Sequence, residues 1–277
     1  GATKSAAVHV NVVFSPAQIV AWGRNTSGQT DVPLGLTSLC ALTAGDQHAL
    51  ALKSDGTLAT FGALPAGGTL NVPAGLANVV AIAAGGGNSG AVRSDSTVAV
   101  WGDAALSAVP SGLSGVAKLA IGRNHALALK SDGTVVAWGT SGFGTQAGVA
   151  ALTEVADIAA GGGHSLVLKS DGTVIALGGS GGSEVTVPGG LTNVVAVAAG
   201  SGLSIALRAD GSVVAWGTAD GRAVVPAGLA GVVGVSANGG NAIARTADGT
   251  VVTWGVTTMG ANVPPAGLTG VVGVAAG

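Results

Sequence analysis

LALKSDGTVVAWG, residues 127–139, reads as a single β-hairpin. Leu127 and Leu129 alternate with Ala126 and Ala128, so one face of the strand is large and the other small. Ser131-Asp132-Gly133 is a tight-turn signal: Asp bonds nearby backbone N–H groups and Gly accepts positive φ. The return strand Val135–Val136–Ala137 closes on Trp138-Gly139. A sheet with one large face and one small face packs well against a copy of itself.

Such copies are present along the chain. A large residue followed by Gly recurs at Trp22, Phe61, Trp101, Trp138, Leu177, Trp216 and Trp254, at spacings of 37 to 40 residues. The last six are each preceded, six residues earlier, by Asp55, Asp95, Asp132, Asp171, Asp210 and Asp248. Each unit has three strand-like runs, for example VVAIAAG (79–85), SGAVRS (89–94) and TVAVWG (97–102). In the first run Val80 and Ile82 point one way, Ala81 and Ala83 the other. That run ends at Gly45, Gly85, Gly122, Gly161, Gly200, Asn238 and Gly277, a pattern that predicts positive φ at this slot.

Composition agrees. Gly supplies 50 of the 277 residues, and charged residues are 9% against a usual level of about 25%. The strands must therefore be buried on both faces. The prediction is an all-β, seven-bladed β-propeller with about three antiparallel strands per blade. It is one domain, 1–277, with blades near 37–62, 77–102, 114–139, 153–178, 192–217 and 230–255. The seventh combines 269–277 with 9–23, so terminal strands share the last blade and close the ring. The register agrees: His48, His125 and His164 lie seven residues before their hairpin Asp, and His9 lies seven before Pro16.

These residues resemble the repeats of the regulator-of-chromosome-condensation family, in which a blade reads roughly Gly-x-x-His, an alternating strand, Asp-Gly and Trp-Gly. The short period is similar to the compact bacterial branch, and VVAWGTADGRAVVPAGLAGVVGVSANG (213–239) shows a whole blade-to-blade unit. The resemblance covers nearly the whole chain. It implies a propeller and, for function, a choice among the family's uses. These are protein binding, secreted inhibition of enzymes of the β-lactamase type, and a structural role in a bacterial surface protein. The implied setting is extracellular or cell-surface.

Strand direction sorts the loops onto two faces. The Ser-Asp-Gly hairpins share one, where Lys53, Arg93, Lys130, Lys169 and Arg208 alternate with the Asp residues. This is read as hairpin chemistry with solvated neighbours. The opposite face collects the Gly-x-x turns and the loops after Trp-Gly, which differ from unit to unit. Varied loops on a constant scaffold suit binding. The candidate partner-binding residues are Arg24, Asn25, Asp46, Gln47, Arg123, Asn124, Phe143, Asp220, Arg222 and Met259.

The expected molecule is a monomer that binds a protein and is no enzyme, without cofactor or metal. His9, His48, His125 and His164 share one repeat slot on separate blades, too far apart for a common zinc ion. A histidine capping a nearby turn is expected instead. Cys40 aligns with Val80 and is expected to be a buried small hydrophobe. No Gly-x-Ser-x-Gly elbow or phosphate loop occurs. The formal net charge of −2 offers nothing to nucleic acid, and no apolar run is long enough for membrane insertion by a helix.

Overall fold

The computed structural model describes residues 10–15, 18–63, 71–102, 104–140, 148–179, 182–217, 220–255 and 263–277. The strands are β1 (Val10–Ser15), β2 (Gln18–Gly23), β3 (Leu39–Ala44), β4 (His48–Lys53), β5 (Leu58–Gly62), β6 (Val79–Gly85) and β7 (Asn88–Arg93). There follow β8 (Val98–Trp101), β9 (Val116–Ile121), β10 (His125–Lys130), β11 (Val135–Gly139), β12 (Val155–Ala160), β13 (His164–Lys169) and β14 (Val174–Gly178). The last are β15 (Val194–Ala199), β16 (Leu203–Arg208), β17 (Val213–Gly217), β18 (Val232–Asn238), β19 (Asn241–Thr246), β20 (Val251–Gly255) and β21 (Gly273–Ala276). No helix among the described residues is long and apolar enough to cross a membrane.

Six three-stranded antiparallel sheets follow one another, each from three consecutive strands, from β3-β4-β5 to β18-β19-β20. β1 and β2 form a hairpin, and β1 also pairs with β21, with Asn11 opposite Ala276 and Phe14 opposite Gly273. The first strands touch in succession, β3 to β6 to β9 to β12 to β15 to β18 to β21, and β21 touches β3.

The hairpins form for the reason their sequence gives. Asp132 Oδ1 accepts from Thr134 N at 3.0 Å and from Thr134 Oγ1 at 2.5 Å, and Gly133 takes φ 78°. Where the glycine is absent, Ser96 adopts the same turn at φ 63°. The apolar clusters then span neighbouring sheets. Ala126, Ala128 and Trp138 pack with Val92 and Val100, while Leu127 and Leu129 on the opposite face pack with Ile158 and Val167. Small faces thus meet large ones, and these second strands are buried up to their last residue.

Four local expectations are corrected. Cys40 is exposed, not buried. The β3–β4 register shifts between Leu39 and Ala41, so Cys40 is a bulge residue that leaves the alternation. Val80 sits on the same bulge in β6 and is 57% exposed, so it does not share a face with Ile82.

The glycine ending each first strand is not in the left-handed region. Gly45, Gly85, Gly122, Gly161 and Gly200 lie outside it, and Asn238 is not among the positive-φ residues. Close approach explains the glycine. A Cβ on Gly85 would stand 2.0 Å from Ile121 O of the next sheet, and one on Gly122 2.4 Å from Gly161 O.

The histidines do not cap turns with their Nε2 atoms. They reach the next sheet: His48 Nε2 stands 2.8 Å from Ser89 Oγ, and His125 and His164 stand 2.9 Å from Ser165 and Ser204 Oγ.

Candidate functional site

The two loop types that the sequence assigns to one face do meet there. Ala63 N donates to Gln47 O at 2.9 Å and Thr140 N to Asn124 O at 2.9 Å. These loops after the Trp-Gly slot therefore start on the Gly-x-x turn of their own sheet. These turns are also laced from sheet to sheet. Asp46 N donates to Gly86 O at 2.8 Å, Arg123 N to Gly161 O at 3.3 Å and Gly162 N to Gly200 O at 3.1 Å.

Together the turns line a small mouth of about 40 Å³. Asp46, Gly86, Arg123, Gly162, Ser201 and Asn238 are among its walls. The side chains over the mouth are polar. Arg123 Nη2 donates to Asp46 Oδ2 at 2.9 Å, spanning the intervening sheet. Gly86 makes this span possible, since a Cβ there would stand 3.0 Å from Arg123 Cα. Arg222 Nη1 donates to Ser201 O at 3.0 Å, and Arg222 Nε stands 2.7 Å from Asp220 Oδ2. Asn238 Nδ2 donates to Ala44 O at 3.2 Å. The charged groups are thus held by backbone oxygens and by one another.

The predicted residues divide accordingly. Asp46 and Arg123 come together, and Asp220 and Arg222 form a second pair anchored on the Ser201 turn. Asn25 serves its own loop: its Nδ2 donates to Asp31 Oδ1 at 2.7 Å and its Oδ1 accepts from Thr30 N at 2.9 Å. Arg24 Nε donates to Thr26 Oγ1 at 2.9 Å in the same loop. Gln47 Oε1 accepts a long bond of 3.5 Å from Ser27 Oγ, and the side chain of Asn124 is exposed. Phe143 and Met259 lie outside the described residues. Ser201 is not among the residues the sequence singles out, and Asn238 is singled out only as one of the Gly-x-x turn residues of this face. Asn238 carried a signal, as the one departure from glycine at its slot.

Beneath the mouth the loops are clamped onto the sheets. Trp138 Nε1 donates to Leu106 O and Trp216 Nε1 to Glu184 O, both at 2.9 Å. Ser204 Oγ also donates to Glu184 O, at 2.8 Å, so it accepts from His164 Nε2–H. His48, His125 and His164 are buried, and burial pushes each imidazole down to about 4. The nearby Asp46 charge partly offsets this at His48, and the neighbouring His164 adds to it at His125. Neutral, serine-bonded imidazoles are structural links, and no acid–base pair is assembled among them.

Residues 116–145 match the family model described as the regulator of chromosome condensation (RCC1) repeat. No curated protein matches the sequence. Among solved structures, Prp20p of Saccharomyces cerevisiae is similar, with a TM-score of 0.73 at 18% identity over 97% of this chain and 86% of that one. That structure was described together with its binding properties to Gsp1p and histones. The CRINKLY WD40 ectodomain of the Arabidopsis thaliana receptor kinase ACR4 gives 0.70 at 21%, over 90% of each chain. Human WBSCR16 gives 0.66 at 15%, over 91% of this chain and 90% of its own. Identities this low speak for the fold alone: the chain is all-β and propeller-like, similar in fold to these structures, and residues 116–145 within it match one RCC1 repeat.

Proposed function

We propose that this chain is a non-catalytic, protein-binding propeller of seven blades, closed where β1 meets β21, with its binding surface on the rim around the Asp46–Arg123 pair. One observation carries the reading. On the face where the Gly-x-x turns meet the starts of the loops after Trp-Gly, the charged side chains among the described residues are already held in place. Groups fixed before contact lose little conformational freedom on binding. Arginine is also the rim's best anchor type, since it is enriched at interface hot spots. The resemblance in the repeat adds an extracellular or bacterial cell-surface setting to the reading.

The test is partner capture by the intact chain, followed by affinity measurement with the double variant Arg123→Glu, Arg222→Glu. A hot spot of about 2 kcal/mol predicts a loss of about thirtyfold. The Asp46–Arg123 pair is largely open to solvent on the arginine side, so its removal costs the fold at most about 1 kcal/mol. A partner held equally well by the variant would move the site off this rim. Inhibition of a secreted enzyme is a narrower form of the same reading, checked by residual hydrolysis in a panel of β-lactamases. A purely structural domain is the outcome if no partner is captured.

A further inference from the structure

We propose that the β18-β19-β20 sheet carries, on the hairpin face, a docking slot for a lysine side chain presented by a partner protein. One other repeat shows what the slot is shaped to hold. In the β9-β10-β11 sheet, Lys130 Nζ stands 3.0 Å from Asp132 Oδ2, while Asp132 Oδ1 holds the turn. The Lys130 stem crosses the connection before β9, with its Cε 3.6 Å from where a Cβ on Gly115 would stand. In the β12-β13-β14 sheet, Lys169 leans over the same connection and pairs with Glu154 at 3.5 Å. Five repeats supply their own cation at this position: Lys53, Arg93, Lys130, Lys169 and Arg208.

The β18-β19-β20 sheet does not. Thr246 stands where Lys130 stands, Gly231 where Gly115 does, and Asp248 where Asp132 does. The consequence is an open groove of about 450 Å³ between the connection Pro226–Gly231 and the hairpin. Leu229, Gly231 and Val252 give it apolar lining, and Asp248 stands at its wall. Asp248 Oδ1 accepts from Thr246 Oγ1 at 2.5 Å and from Thr250 N at 3.0 Å, which keeps the turn. No lysine or arginine nitrogen pairs with this carboxylate among the described residues. An aliphatic stem ending in an ammonium satisfies both parts of the groove, the methylenes covering apolar surface and the charge reaching the carboxylate. The carboxylate is exposed, so the slot adds selectivity to a larger contact and binds a lone lysine weakly. This surface is separate from the rim and stands whether or not the rim reading does.

The probe is N-acetyl-lysine methylamide, titrated into the tens of millimolar and followed by amide shifts of the intact chain. Saturable shifts confined to Gly231, Asp248, Gly249 and Thr250 are expected, and the Nε-acetylated probe should give none. Thr246→Lys should abolish them, because the chain then fills its own groove. Lys130→Thr should create a second set, at Gly115, Asp132 and Gly133. Both substitutions install a residue that the repeat already carries at this slot. Absence of shifts in the native chain, unchanged binding by Thr246→Lys, equal binding of the acetylated probe, or no new site in Lys130→Thr would each overturn the proposal.

Discussion

Acidification from pH 7 to pH 5 should destabilise this protein far more than its low charge suggests. The perturbed groups are His48, His125 and His164, whose imidazoles titrate near 4 in the fold against 6.5 in the unfolded chain. Folding favours their neutral form, so between these values the unfolded chain holds more protons. Their contribution is complete above about pH 6.5 and is lost as pH falls towards 4. A depression of this size is worth about 3 kcal/mol per histidine, of which about 2 kcal/mol is gone at pH 5. Three histidines together remove about 6 kcal/mol there, comparable with the whole stability of an ordinary domain. The hairpin aspartates do not confuse the measurement. Hydrogen bonds from Thr57, Thr97 and their equivalents hold them below the ordinary carboxylate value, so they titrate beneath the histidine window. The assay is urea unfolding by tryptophan fluorescence at half-unit steps from pH 7.5 to 4.5. Stability should fall by up to about 4 kcal/mol per pH unit within the window. The double variant His125→Asn, Ser165→Ala copies the Asn88 and Ala126 pairing found between the neighbouring sheets, and should remove about a third of that slope. Stability that is flat from pH 6.5 to 4.5, or a slope indifferent to the double variant, would refute the assignment.

Four further outcomes are expected. Trp138→Ala should cost about 3–5 kcal/mol in urea unfolding, because a ring only 6% exposed is removed from between two sheets and Leu106 O loses its donor. Gly85→Ala should cost about 3 kcal/mol or more by the same measurement, since its Cβ would overlap Ile121 O. Gly189→Ala, with open space and an ordinary φ, should be neutral or stabilise by under about 1 kcal/mol. Removing residues 268–277 takes away the partner strand of β1 and a contact of both β18 and β3. Calorimetry should then show the single sharp melt lost, and an unchanged melt would argue against closure through β21.

The hairpins were legible because their chemistry is local: Asp132, Gly133 and Thr134 satisfy one another within four residues of chain. What stayed hidden depends on the next repeat. Glycine at the end of a first strand has two possible causes, positive φ or a close neighbour, and only the position of Ile121 O against Gly85 decides for the second. The bulges at Cys40 and Val80 leave no mark in the sequence, since an apolar pair is equally at home in a regular strand. Other couplings were visible in principle. Ser89, Ser165 and Ser204 stand one repeat after His48, His125 and His164, while Ala126 and Ala242 stand one repeat after Asn88 and Leu203. For the three described histidines of this slot a hydroxyl stands where the imidazole needs a partner, which is what burial of polar groups demands.

The same logic governs the candidate sites. In a chain of near-identical units, the constant residues are accounted for within their own hairpin or by neighbours one repeat away. Chemistry directed outward must therefore sit where a unit breaks the pattern and leaves a group unmatched within the fold. Arg123 departs from the small residues at its turn and can reach Asp46 across Gly86 because that turn has no side chain. Thr246 departs from the five cations and leaves Asp248 without an internal counterion among the described residues. The two departures lie on opposite faces. Losing capture through Arg123→Glu while keeping the lysine-probe site, and the reverse for Thr246→Lys, would separate two independent surfaces on one scaffold.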